Sequence, residues 1–227
     1  IDPQLQQRFG DALVLLRDDK FIEAEADFLA VTADYPSYPG PWSNLAVAQN
    51  TLEKYEDALQ SLDKALALDP TFCQALSLKG VSLRELGKFQ EAKSQYEAAL
   101  KCNPKDNLSV YNLGVLADLY LHDPALALAY YEEYLRRISA SLDDEKGQES
   151  SEGQGETVSS WVIDLKRRVP EGAVVDISAI VNPKTVTTDT INPVVVKSDA
   201  EDDGPAEGVK VSNKENAVSL YHQRNGN

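Results

Sequence analysis

An all-α solenoid of four stacked helical hairpins, closed by a capping helix and followed by an extended or disordered tail, is the fold class this sequence predicts. Three observations carry the prediction. Pro36, Pro70 and Pro104 stand 34 residues apart, as do Ala24, Ala58 and Ala92, and the small residues Ala12, Ala46, Gly80 and Gly114 keep the same step through four registers. A fixed period of this length is the mark of repeated helical hairpins, each of which buries its apolar face only against its neighbours.

The first helix opens at Asp2-Pro3, where a carboxylate can cap free N–H groups and proline loses nothing by lacking one. Leu5, Phe9, Ala12, Leu15 and Leu16 then fall on helical spacing, Lys20-Phe21 marks the turn, and Ala24, Phe28 and Val31 line the second helix. Tyr35-Pro36 ends the hairpin, because the residue before proline is pushed out of the helical region. The second hairpin repeats the plan with Trp42, Leu45 and Ala46, then Tyr55, Ala58, Leu62 and Ala65, and the stop Asp69-Pro70. The third has Leu76, Gly80 and Leu83, then Gly87, Phe89, Ala92, Tyr96 and Ala99, and the stop Asn103-Pro104. The fourth has Val110, Leu113, Gly114 and Ala117, then Ala127, Tyr131 and Tyr134. Ala92 to Ala127 is 35 residues, so its second helix is displaced by one.

The repeat signal defines an array over residues 3–137. Residues 138–157 read as a flexible acidic linker, since the stretch DDEKGQESSEGQGET has almost no apolar content. Val158, Trp161, Val162, Leu165 and Val169 restore a helical stripe over 158–169, with Lys166, Arg167 and Arg168 at the end that the helix dipole favours for cations. This is the expected capping helix, with Trp161 its anchor. Residues 170–227 form the extended or disordered tail, rich in β-branched residues but interrupted at Asn182-Pro183 and Asn192-Pro193.

Stretches such as ALQSLDKALALDP and YNLGVLADLY resemble the tetratricopeptide repeat family, whose pattern sets a large residue, Leu-Gly/Ala, an aromatic, Ala, Phe/Tyr, Ala and Pro at fixed offsets. The resemblance covers residues 3–137 and implies a right-handed superhelix in which the first helix of each hairpin lines a concave groove. The first hairpin departs from the pattern with Arg8 and Asp11, which a water-facing terminal repeat tolerates. Carried over position by position, the resemblance implies a partner-binding groove of Phe9, Leu13, Arg17, Ser43, Asn44, Val47, Asn50, Gln74, Ser77, Val81, Arg84, Leu108, Tyr111, Asn112 and Val115. Val47, Val81 and Val115 recur every 34 residues among Asn, Gln, Ser and Arg, a pattern that suits an extended peptide; the same valines could instead pack between first helices. The lysine, arginine and asparagine clamp with which some family members grip chaperone C-termini is not reproduced: only Asn44 matches, while Leu13, Gln74 and Leu78 occupy other clamp positions.

The chain of 227 residues has a formal net charge of -15, shared by both parts: 13 Lys/Arg against 21 Asp/Glu in residues 1–137, and 9 against 16 in residues 138–227. That balance argues against a nucleic-acid or anionic-membrane partner, which requires clustered cations. With no apolar run of 18 residues, no span of a bilayer is expected. Catalysis, metal and cofactor are not expected either, since His122 and His222 lie apart from one another and no phosphate-binding loop occurs.

Antiparallel helices bring Cys73 and Cys102 together, either as a disulfide or as two small buried thiols; a bond would favour an oxidising compartment. The start at Ile1 and the absence of methionine read as a processed or truncated N-terminus, with room for an N-terminal lipid tether outside this chain. The resemblance extends to short bacterial cell-envelope repeat proteins that carry a Trp-bearing helix after the array. The resulting expectation is a non-catalytic interaction scaffold or adaptor, an accessory subunit of a periplasmic or cell-envelope assembly, holding a peptide in its groove and a partner surface through its tail. A cytoplasmic co-chaperone or assembly regulator is the alternative. In a third reading, residues 173–196 dock in the protein's own groove until a partner displaces them.

Overall fold

The computed structural model describes residues 2–142 and 150–182. Among the described residues the structure is helical and contains no β-strand. Four hairpins follow in chain order: α1 Pro3–Arg17 with α2 Phe21–Asp34, α3 Pro39–Thr51 with α4 Tyr55–Leu68, α5 Cys73–Glu85 with α6 Phe89–Cys102, and α7 Asn107–Val115 with α8 Pro124–Leu142. Two helices come after them, α9 Ser150–Arg168 and α10 Ser178–Val181.

The helix ends obey local chemistry. Asp2 accepts a hydrogen bond from the Gln4 N–H at 2.8 Å, with Pro3 at the first helical position. Inside each hairpin the chain reverses through one residue of positive φ: Asp19 at 56°, Glu53 at 60°, Gly87 at 73° and His122 at 51°. In the first three, the following N–H of Lys20, Lys54 or Lys88 donates to the carbonyl of Leu15, Gln49 or Leu83, at 2.9, 2.8 and 2.9 Å. This closure satisfies orphan carbonyls at the end of the first helix.

The fourth hairpin handles its extra residue differently. After α7 the helix widens into a π-helical turn, Leu116–Tyr120, closed by Leu121 N–H to the Leu116 carbonyl at 2.9 Å. One added residue is thereby absorbed within the helix. Ala127 arrives one place late and is still fully buried, as Ala24, Ala58 and Ala92 are.

Helix approach within a hairpin is set by pairs of small and large residues. A Cβ placed on Gly80 would lie 2.5 Å from the Tyr96 ring, and one on Gly114 would lie 2.6 Å from Tyr131. Both tyrosine rings are buried on the bare glycine backbone. In the first two hairpins alanine takes the glycine register, and Ala12 and Ala46 share their core with the slimmer partners Phe28 and Leu62.

Helix α9 runs along α8, with Val158, Val162 and Leu165 buried. It begins at Ser150, so helix occupies residues that the composition assigns to a linker; α8 likewise continues beyond Arg137 to Leu142. From Gly155, which lies against Ile138, onward, packing on α8 supplies what a polar sequence cannot supply alone. Past α9, Ile177 and Val181 are buried in the core shared by α6, α7, α8 and α9, with Val175 and Ile180 against it. Residues 170–182 are therefore not a wholly extended tail, because their apolar side chains reach the array. Arg137 clasps this segment: it donates to the Pro104 carbonyl at 2.8 Å and to the Val181 carbonyl at 2.9 Å, while its Nε meets Glu133 at 2.6 Å. Residues 183–227, the rest of the expected tail, lie outside the described residues.

Two outcomes are expected. Gly80→Ala, which forces the Tyr96 ring aside, should cost about 1–3 kcal/mol and lower the thermal midpoint in circular dichroism; Gly10→Ala, with nothing within 4 Å of its Cβ, should gain up to about 1 kcal/mol through helix propensity. The second concerns Glu133. Burial pushes its carboxyl up, but hydrogen bonds from Arg136 and Arg137 outweigh this and hold it below the ordinary value of 4.5. A lowered folded value means that its stabilisation is complete above pH 4.5 and is lost as the pH falls further. Urea midpoints measured from neutral to acid pH should therefore fall less steeply below that value in Glu133→Gln than in the parent.

Candidate functional site

The first helices α1, α3, α5 and α7 present the residues singled out from sequence, and the structure divides them. Ser43, Val47, Asn50, Ser77, Val81, Arg84, Leu108, Tyr111, Asn112 and Val115 are buried, with Asn112 at 0% and Tyr111 the most open at 7%. Phe9, Leu13, Asn44 and Gln74 are half-buried, and Arg17 is exposed. The ten buried residues are taken up in packing and are not an open lining; Tyr111, for one, lies on Tyr131 and Tyr134 of its own hairpin and on Trp161 of α9. The reason is steric: small side chains at these registers let successive first helices close on one another.

Polar members of the set bond across that contact. Ser82 on α5 donates to Asn50 on α3 at 2.8 Å, the hydroxyls of Ser77 on α5 and Ser109 on α7 meet at 3.0 Å while Ser109 donates to Asp106 at 2.6 Å, and Arg84 donates to Asn112 at 3.2 Å. Within the second pair of helices, Ser61 donates to Gln49 at 2.8 Å. Arg84, 4% exposed, also holds Glu85 at 2.9 Å. Such bonds fix the register of neighbouring hairpins, since a slip would leave buried polar groups unmatched. The amide nitrogens of Asn50 and Asn112 have no hydrogen-bond partner among the described residues.

Trp161 closes this row of first helices at its far end. Its ring lies 5.4 Å from Tyr131 and 6.4 Å from Tyr111, centroid to centroid, and Tyr111 is 5.4 Å from Tyr134. Lys166 pairs with Glu132 at 2.8 Å and Arg168 approaches Asp118 at 3.8 Å. Burial raises the Asp118 carboxyl above its ordinary value, and the nearby Arg168 only partly offsets this.

Open space lies nearer the middle of the array. A pocket of about 670 Å³ opens between the N-terminal ends of α5 and α7, lined by Thr71, Phe72, Cys73, Gln74, Ser77, Cys102, Asn103, Lys105, Asp106 and Asn107. Cys73 and Cys102 are joined as a disulfide in its wall, with Cα atoms 5.4 Å apart. Asp106 shapes the other side by capping α7, accepting from the N–H groups of Leu108 and Ser109 at 3.1 and 3.3 Å. Of the groove residues predicted from sequence, only Gln74 and Ser77 reach this pocket. Phe72 and Lys105 escaped that reading because they belong to the turns between hairpins, and Asn107 because it only opens α7, ahead of the helical positions that carry the period.

Residues 173–182 do not enter the groove. They pack against α6 and the Arg137 end of α8, both second helices, so this part of the tail lies on the side away from the first-helix row. Among the described residues no three His, Cys, Asp or Glu side chains gather as a metal site, and no helix is long and apolar enough to cross a membrane.

These features define a class, the helical-hairpin repeat solenoid. Residues 41–72 and 78–141 each match a tetratricopeptide repeat family model, so these stretches of the array are tetratricopeptide repeats. Its repeats are a protein–protein interaction module. Among curated proteins, a UDP-N-acetylglucosamine–peptide N-acetylglucosaminyltransferase of Giardia intestinalis is 25% identical over 135 residues, which is 59% of this chain and 9% of that protein. The chain spans only about a tenth of the length of the first curated relatives it matches. Among solved structures, Pseudomonas aeruginosa pilF superposes with a TM-score of 0.59 at 22% identity, covering 74% of this chain and 69% of that one. The first repeat domain of Spaghetti, solved bound to an HSP90 peptide, gives a TM-score of 0.50 at 24% identity over 52% of this chain and 94% of that one.

Trp161→Ala should cost about 3 kcal/mol by removing a large aromatic from the cap. Hydrogen exchange is the decisive readout: amides of α9 and α7 should lose protection while those of α3 and α4 keep theirs.

Proposed function

We propose that this protein is a non-catalytic interaction scaffold that holds an extended segment of a partner protein at the pocket between α5 and α7, as an accessory subunit of a bacterial cell-envelope assembly. The pocket carries the reading. Phe72 supplies an apolar surface, while Gln74, Asn103 and Asn107 offer amide donors and acceptors, the combination that an extended backbone with alternating side chains requires. Lys105 adds one cation to a chain that is acidic throughout. Peptide binding by the structurally similar Spaghetti domain supports the mode of binding. Its chaperone ligand does not transfer, because the clamp positions hold Leu13, Gln74 and Leu78 here.

The compartment rests on the disulfide. Cys73 and Cys102 sit at opposite ends of one hairpin, 29 residues apart, and such a bond persists where thiols are oxidised. It holds the start of α5 against the end of α6, and so keeps the pocket wall in place without a bound partner. In the chain-entropy account a loop of this size adds about 3–4 kcal/mol.

Photo-crosslinking in the native source tests both parts. A photoreactive residue at Gln74 should yield a covalent adduct with a defined protein, and the same residue at Glu91, on the exposed side of α6, should not. Equal adducts from both positions, or none from Gln74, would discard the pocket reading. Alkylation of the freshly isolated protein should find Cys73 and Cys102 blocked until a reductant is added, and freely reacting thiols would discard the envelope assignment.

A further inference from the structure

The second helices carry a departure from the repeat that the groove does not explain. On α2, Ile22, Ala26, Leu29 and Ala33 follow one another at spacings of four, three and four, forming one apolar stripe. All four are exposed, Ile22 at 70% and Leu29 at 49%. One period later, Ile22, Ala26 and Leu29 become Glu56, Gln60 and Asp63 on α4; a period after that they become Gln90, Ser94 and Glu97 on α6. Glu56, Gln60 and Asp63 also face solvent, although α4 is packed between α3 and α5 as α2 is between α1 and α3. A further hairpin ahead of α1 would therefore leave the α2 stripe bare, and its apolar character is not that of an array end. Scattered exposed apolar residues are ordinary; a register-specific stripe on one helix is a contact face.

Charge decides what covers it. Glu23 and Asp27 flank the stripe on α2 and are exposed, and Asp18 and Asp19 lie in the turn that leads into it. Residues 3–35 hold seven Asp/Glu against three Lys/Arg. Of these acids, Glu25 is paired with Lys54, Asp34 with Arg8 and, at 4.0 Å, Asp18 with Lys20. A second copy laid on α2 would bring Glu23 and Asp27 against their own equivalents in a chain of net charge -15, and an anionic lipid surface would be repelled likewise. We propose that α2 is a docking strip for an amphipathic helix of a partner protein, whose apolar side lies on Ile22, Ala26, Leu29 and Ala33 and whose lysines or arginines meet Glu23 and Asp27. The strip is separate from the pocket between α5 and α7, so one partner or two could be held at once.

The test uses two model helices, one of leucine with lysine and one of leucine with glutamate in the same pattern, titrated into the full isotope-labelled chain. The leucine–lysine helix should bind with amide shifts centred on α2, and the leucine–glutamate helix should not. Ile22→Glu with Leu29→Asp gives α2 the residues that α4 carries at the same register, so the fold should survive, as circular dichroism will show. This double variant should weaken binding at least tenfold. Glu23→Lys with Asp27→Lys, which leaves the stripe intact, should weaken it severalfold. Absence of binding, undiminished binding in the first variant, or shifts centred elsewhere would overturn the proposal. So would a dimer in analytical ultracentrifugation that the first variant abolishes, since a second copy would then be the occupant.

Discussion

Everything in this molecule depends on how closely two helices can approach inside each hairpin. That distance is set where a small residue on the first helix receives a large one from the second. Gly80 lies under Tyr96 and Gly114 under Tyr131, with no room for a methyl group. Ala12 and Ala46 occupy the same register where the partners are Phe28 and Leu62. Size is conserved across the pair: the smaller the residue on one helix, the larger the ring on the other, as close packing requires. Once this gap is fixed, the hairpins stack with one geometry and the array follows.

Close stacking has a consequence for recognition. The first helices come together so tightly that Val47, Val81 and Val115 lose their surface, while Asn50 is bonded to Ser82, Ser77 to Ser109 and Asn112 to Arg84 across the same contact. Space for a partner remains where helices begin, at turns, because helix ends cannot pack as densely as helix middles. The disulfide-walled pocket between α5 and α7 is of this kind. The stripe on α2 is different in origin, since it lies on a helix middle that no other part of the described structure covers.

The C-terminal end shows how an array is closed. A solenoid ends on a face as apolar as any internal one, which must be covered. Val158, Val162 and Leu165 of α9 cover it, Trp161 joins a cluster with Tyr111, Tyr131 and Tyr134, and the segment through Val181 is held by Arg137. Arg137 can do this because Glu133 neutralises it locally while its other nitrogens reach two carbonyls.

By itself the sequence determined the hairpins, their number, their order and the cap. Each of these is written in local spacing: proline stops, small residues at a fixed step, and an apolar stripe containing Trp161. Even the extra residue of the fourth hairpin is visible as a step of 35. Only the tertiary structure decided which of the aligned residues remain open. Position in a repeat tells which way a side chain leaves its helix, but exposure depends on how near the next helix comes, and that distance arises from contacts between residues far apart in the chain. The π-helical turn at Leu116–Tyr120, the burial of ten groove positions, the polar length of α9 and the docking of Ile177 and Val181 are all outcomes of that kind.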